Sequence, residues 1–134
     1  MKIFINCGSQ PIPFYRLWNY AKALSANKDL DIFFQGYDYD NFLTADIMFN
    51  GSKFLEKEAY MRRLGQADIA ICHAGSGAIF DSIKLGHKPY VLPRLQKFEE
   101  HNDDHQLELF KRCCKEEIVL ELDISNFLLT STRD

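Results

Sequence analysis

Short apolar runs alternate with segments of helical period along this 134-residue chain, and that alternation restricts the fold more than any single residue does. A strand, a helix and a second strand running the same way make a βαβ unit, so repeated alternation implies a mainly parallel sheet. The strand-like runs are Lys2 to Asn6, Leu30 to Gln35, Ala45 to Phe49, Asp68 to Cys72, Lys88 to Leu92 and Ile118 to Leu122. Helical periodicity spans Phe14 to Asn27, with Leu17, Ala21 and Leu24 on the apolar face, then Lys53 to Gln66, Gly77 to Leu85 and Asp103 to Cys114. Gly36 to Asp40 reads as an aromatic turn, Gly86 as a left-handed helix stop, and a short last helix is expected after Asp123. A chain of this length builds one core, so the expectation is a single α/β domain over residues 1–134. Its sheet is expected to be Rossmann-like and parallel, with helices on both faces.

Composition removes several function classes. The chain is 46% hydrophobic and 26% charged, as globular proteins are. No run approaches the roughly 18 apolar residues needed to cross a bilayer. Met1-Lys2-Ile3-Phe4-Ile5 leads straight into a strand pattern without the features of a secretory signal, so a soluble cytoplasmic protein is expected. A net charge of −3 argues against nucleic acid as a partner, although Lys111, Arg112 and Lys115 form a local basic group. Cys7, Cys72, Cys113 and Cys114 contain no CxxC pair and read as free thiols.

The sharpest motif is His73-Ala74-Gly75-Ser76-Gly77-Ala78, at the carboxyl end of a strand and the start of a helix. Unpaired amides and the positive end of the dipole collect at a helix N-terminus, so small residues there let a diphosphate approach, with the Ser76 hydroxyl as a further donor. The same glycines also suit close packing of strand against helix, and both readings stand at this point. Asp81 lies one turn beyond Gly77, where a carboxylate can accept bonds from both ribose hydroxyls or simply face water. The first strand is followed by Cys7-Gly8-Ser9-Gln10 and not by GxGxxG, which weakens a dinucleotide assignment. A second polar cluster, Glu99-Glu100-His101-Asn102-Asp103-Asp104-His105-Gln106, follows the fifth strand and would open on the same crevice. Asn102 or Asp103 can cap the next helix, while His105 and Gln106 can bond sugar hydroxyls. A metal held by His101, Asp104 and His105 matches no familiar ligand spacing, and none is expected.

The string from His73 to Arg112, HAGSGAIFDSIKLGHKPYVLPRLQKFEEHNDDHQLELFKR, resembles the C-terminal domain of glycosyltransferase family 28. More closely, the chain is similar to the small catalytic subunits of two-component transferases of exopolysaccharide, capsule and dolichol-pathway synthesis. The likeness includes Cys7 to Gln10 followed by Pro13-Phe14-Tyr15-Arg16-Leu17, and so runs over nearly the whole chain. The resemblance implies the C-terminal half of a GT-B fold and inverting transfer of a hexose from a UDP-sugar, with no cofactor and no DxD-bound metal; a non-catalytic UDP-sugar-binding subunit or nucleotide sensor that kept the same site is the alternative. It carries donor-binding roles to Gly8, Ser9, Gly75, Ser76, Gly77, Asp81, Arg94, His101, His105 and Gln106, with His73 a candidate general base. It further implies a membrane-anchored partner subunit that presents a polyprenyl-linked glycan acceptor, with the chain peripheral to the inner face of the membrane.

Overall fold

The structure is a computed structural model and describes residues 1–125. Six parallel strands form one sheet: β1 Lys2–Asn6, β2 Asp31–Gln35, β3 Asn50–Ser52, β4 Ile69–His73, β5 Tyr90–Leu92 and β6 Leu120–Glu121. Their order is β3-β2-β1-β4-β5-β6, so the chain steps outward from β1 in one direction, crosses back, and steps outward in the other. Because parallel crossovers are right-handed, the two directions put their helices on opposite faces. Helices α1 Tyr15–Leu24 and α2 Tyr37–Asn41 belong to the first half, and α3 Lys57–Gln66, α4 Ser76–Lys84 and α5 His105–Lys115 to the second. The Rossmann-like sheet with helices on both faces is therefore as the alternation implied.

Side chains alternate across the strands and divide the core in two. Ile3, Ile5, Ile32, Phe34, Ile69 and Ile71 pack against Leu17, Trp18, Ala21 and Leu24 of α1. The positions between them face the other way: Phe4 and Ala70 meet Leu64 of α3, while Cys72 and Val91 meet residues of α4 and α5. On the α1 face Trp18 stands edge-on to Phe34 at 5.0 Å and to Phe49 at 5.4 Å, an arrangement favoured by the ring quadrupoles. The four cysteines are free, and Cys7, Cys72 and Cys113 are buried.

Three expectations need correction. The third strand is not Ala45 to Phe49 but Asn50–Ser52, paired from Phe33↔Asn50 onward. The apolar residues before it serve the core instead: Phe49 is buried against Trp18 and Phe34, and Thr44 to Ile47 make a turn. The following helix begins at Lys57, four residues later than Lys53. Gly36 to Asp40 is not a simple turn, since Tyr37–Asn41 close one helical turn around a buried Asp38. Both oxygens of Asp38 accept from the Phe14 N–H at 3.0 Å, so the carboxylate links α2 to the chain entering α1. Most of the helix expected after Asp123 lies outside the described residues; Ile124 and Ser125 form a turn.

Phe34 fills the centre of the α1 face with no exposed surface. Phe34→Ala is expected to cost about 3–5 kcal/mol, the usual penalty for emptying an aromatic core site. Urea unfolding followed by the fluorescence of Trp18, the single tryptophan, measures it.

Candidate functional site

Strands β1 and β4 are neighbours whose following helices lie on opposite faces, so their carboxyl ends form the topological switch point where open α/β sheets bind ligands. The register Asn6↔Cys72 brings the loop after β1 level with His73. Two glycines enclose the His73 ring. A Cβ on Gly8 would stand 2.8 Å from its Cε1 and Nε2, and a Cβ on Gly75 would stand 2.4 Å from Cε1. Gly8 also has φ +84°, a left-handed conformation that L side chains rarely adopt. Gly77 differs, because a Cβ there would meet nothing within 4 Å. Close packing thus accounts for Gly8 and Gly75, and leaves Gly77 without a structural reason.

His73 is held through Gln106, which is buried at the start of α5. Gln106 Oε1 accepts from the Ala74 N–H at 3.1 Å and the Arg94 N–H at 3.0 Å, tying the segments after β4 and β5 together. Its Nε2 lies 3.0 Å from His73 Nδ1. Burial, with the charge of Arg94 adding to it, pushes the His73 pKa down to about 3. The ring is neutral at neutral pH, with Nδ1 already engaged. The sequence suggested His73 as a base and Gln106 as a sugar contact; the structure places the amide of Gln106 behind the crevice wall.

Beside His73, α4 begins at Ser76 with Gly75 in the N-cap position and no side-chain capping bond. Ser76 and Gly77 are exposed. Asp81, one turn on, faces α3: its carboxylate lies 3.8 Å from Lys57 Nζ, and its negative charge adds to burial in raising the pKa of the Tyr60 hydroxyl. Asn6 Nδ2 donates to the same hydroxyl at 3.2 Å, and Asn6 Oδ1 accepts from the Gly8 N–H at 2.9 Å. A carboxylate has about four lone-pair positions, so this network leaves Asp81 with capacity for further donors. Asn6, Lys57 and Tyr60 were not singled out from the sequence. For Asn6 a signal existed, as the one uncharged polar residue in an otherwise apolar strand; the other two carry none.

Arg94 is 1% exposed and does not reach the crevice. Its Nη1 donates to the carbonyls of Ile12 at 3.2 Å and Glu100 at 3.1 Å, and its Nη2 to that of Cys7 at 2.7 Å, while the guanidinium lies over Phe14. The Glu100 carboxylate, equally buried, receives Arg16 through Nε at 2.9 Å and Nη2 at 2.6 Å, together with the Leu95 N–H. His101 and His105 both approach Asp103, each at 3.2 Å, and Gln10 reaches His101 at 3.5 Å. Asp104 instead accepts from the Gln96 N–H. Asp103 Oδ1 accepts the first amide of α5, that of His105, but the helix starts two residues later than expected, and its N-cap is Asp104, without a side-chain capping bond, not Asn102 or Asp103. Ser9 and His105 are exposed on the rim.

Two predictions follow from this geometry. Gly8→Ala strains the backbone and crowds His73, and is expected to destabilise the fold by about 1–3 kcal/mol in urea titration. In the unfolded chain His73 takes up a proton near about pH 6.5, but in the fold only near 3. The unfolded state therefore binds more protons in that interval, and stability falls as pH falls through it. The drop in the urea midpoint between about pH 6.5 and about pH 4 is expected to shrink in His73→Phe, which cannot titrate.

Residues 2–130 match the glycosyltransferase family 28 C-terminal domain. The fold is shared with the glycosyltransferase SnogD from Streptomyces nogalater at a TM-score of 0.58 and 15% identity, and with a glycosyltransferase of kitacinnamycin at 0.65 and 18%. In each case 98% of this chain is covered but only 32% of the other, so the chain spans about a third of their length. No curated protein sequence matches. The shared region makes this fold the C-terminal half of a GT-B architecture. Since the family match takes in every described strand and all the residues around His73, the chain belongs to the glycosyltransferase family 28 C-terminal domain family.

Proposed function

We propose that this domain binds a UDP-sugar and presents it for inverting hexosyl transfer to a hydroxyl of a polyprenyl-linked glycan. The observation that carries the reading is the uncapped N-terminus of α4 beside a neutral His73, at the switch point of the sheet. In this reading the diphosphate rests on the amides of Ser76 and Gly77 and on the Ser76 hydroxyl, where the helix dipole favours negative charge. Asp81 takes the ribose hydroxyls, and His101, His105 and Ser9 line the rim where the donor sugar projects. Gly8, Gly75, Arg94 and Gln106 shape the site from behind.

As the acceptor oxygen bonds to C1 of the sugar, the bond from C1 to the phosphate oxygen breaks and charge gathers on the departing diphosphate. Fixed amide dipoles aimed at that charge stabilise the transition state without having to reorganise. His73, being neutral with Nδ1 occupied, supports the leaving phosphate as a donor through Nε2. The base for the acceptor hydroxyl then comes from the acceptor side, which we assign to a membrane-anchored partner subunit. No described helix is long and apolar enough to cross a membrane.

Calorimetry with UDP, UDP-glucose, UDP-galactose and UDP-GlcNAc tests the site and reads the sugar preference together. Gly77→Ala adds a methyl in open space, so the melting temperature should hold while UDP affinity falls roughly tenfold or more, the worth of a charge-assisted hydrogen bond. Asp81→Ala should weaken UDP by a similar factor. Unchanged UDP affinity in both variants would sink the assignment.

A further inference from the structure

We propose that Gln106 is a positioning residue that fixes His73 in a single state, a neutral imidazole whose one proton is on Nε2 between Gly8 and Gly75. The inference rests on hydrogen-bond bookkeeping around one side-chain amide. Two backbone N–H groups, of Ala74 and Arg94, converge on the same atom of Gln106. That atom must be the carbonyl oxygen, because the opposite orientation would set an NH2 group against two donors. The nitrogen of Gln106 is consequently the atom beside His73 Nδ1 at 3.0 Å, and it can only donate. Nδ1 must then offer a lone pair. A neutral ring with a bare Nδ1 carries its proton on Nε2, and a protonated ring would oppose N–H to N–H.

The surroundings enforce the same state. Among the described residues, the charged and titratable groups acting on the ring are Arg94, from the segment after β5, and His101, from the loop before α5, and both oppose a positive charge on it. The two glycines hold the ring plane in place, since either Cβ would collide with Cε1 or Nε2. Gln106 thus joins three elements, the ends of β4 and β5 and the start of α5, and turns their relative placement into the proton position on one imidazole. A glutamine at this point does more for the site than its buried position suggests: it makes Nε2 a permanent donor and removes His73 from acid–base exchange. That this donor serves a leaving diphosphate rests on the UDP-sugar reading above; the locked state itself does not.

Nitrogen NMR of histidine-labelled protein without ligand tests the lock. His73 Nδ1 is expected to show the pyridine-type resonance and Nε2 the pyrrole-type one, with neither moving between about pH 5 and pH 8. Gln106→Glu keeps an oxygen for the Ala74 and Arg94 amides but replaces the donor by an acceptor. In that variant the proton should move to Nδ1, or the ring should titrate within the same window. A merely structural role for Gln106 would not move the proton. A pyrrole-type Nδ1 or a titrating His73 in the wild type overturns the proposal, as does an unchanged ring in a folded Gln106→Glu. UDP added to the wild type should shift the Nε2–H resonance. If UDP fails to bind while the ring keeps this state, the UDP-sugar reading fails and the positioning role of Gln106 stands; if UDP binds without shifting Nε2–H, the donor role of the ring toward the diphosphate is overturned and the lock set by Gln106 stands.

Discussion

The crevice depends on one buried cation. The loop from β1 to α1 and the loop from β5 to α5 both leave the sheet at its carboxyl end, where strand pairing stops and their carbonyls lose their partners. Buried carbonyls without partners cost about as much as lost hydrogen bonds. The guanidinium of Arg94 meets this demand, taking the carbonyls of Cys7, Ile12 and Glu100 from segments 87, 82 and 6 residues away in sequence. A fork of fixed donors can do this where a lysine could not. Burying that charge is expensive, and the cost is moderated by Asp38 and Glu100 nearby and by the face of Phe14. Arg94 is in this sense a component of the loops' backbone bonding, and the loops it joins are the ones that carry Gly8 and His101.

A second layer of the same logic surrounds it. Arg16 leaves α1 to bind the Glu100 carboxylate and the Pro93 carbonyl, so the helix on one face of the sheet grips the loop that leads to the other face. Asp38 grips the same region from α2 through the Phe14 amide. Each of these groups is satisfied by a partner distant in sequence. Such contacts select one arrangement of loops among the several that the hydrophobic pattern alone would permit, which is what a site assembled from three loop segments requires.

This explains which parts were legible beforehand. Alternating apolar runs identify the strands of β1, β2, β4 and β5 because a buried parallel strand must be apolar throughout, whatever it pairs with. The turn after β4 was visible since glycine spacing and strand position are both local. The third strand was misplaced because Phe49 is more apolar than Asn50-Gly51-Ser52, and only the Trp18 and Phe34 rings reveal that Phe49 belongs to the core and not to the ladder. Arg94, Glu100 and Gln106 read as polar crevice residues because they lie among polar neighbours. Nothing local distinguishes an arginine that faces a ligand from one that faces carbonyls 82 residues away.

Three cations around the crevice are already engaged: Lys57 is turned to Asp81, Arg16 to Glu100 and Arg94 to backbone carbonyls, while His73 is neutral. In the proposed reading the groups that touch the diphosphate are dipoles: the first amides of α4, the Ser76 hydroxyl and one imidazole N–H. A full cation would attract the intact donor and the departing UDP alike, deepening the ground state along with the transition state. Dipoles held by the sheet, by two glycines and by Gln106 act most strongly on charge that develops within hydrogen-bonding reach. In this protein the cations secure the scaffold, and the scaffold holds the dipoles in place.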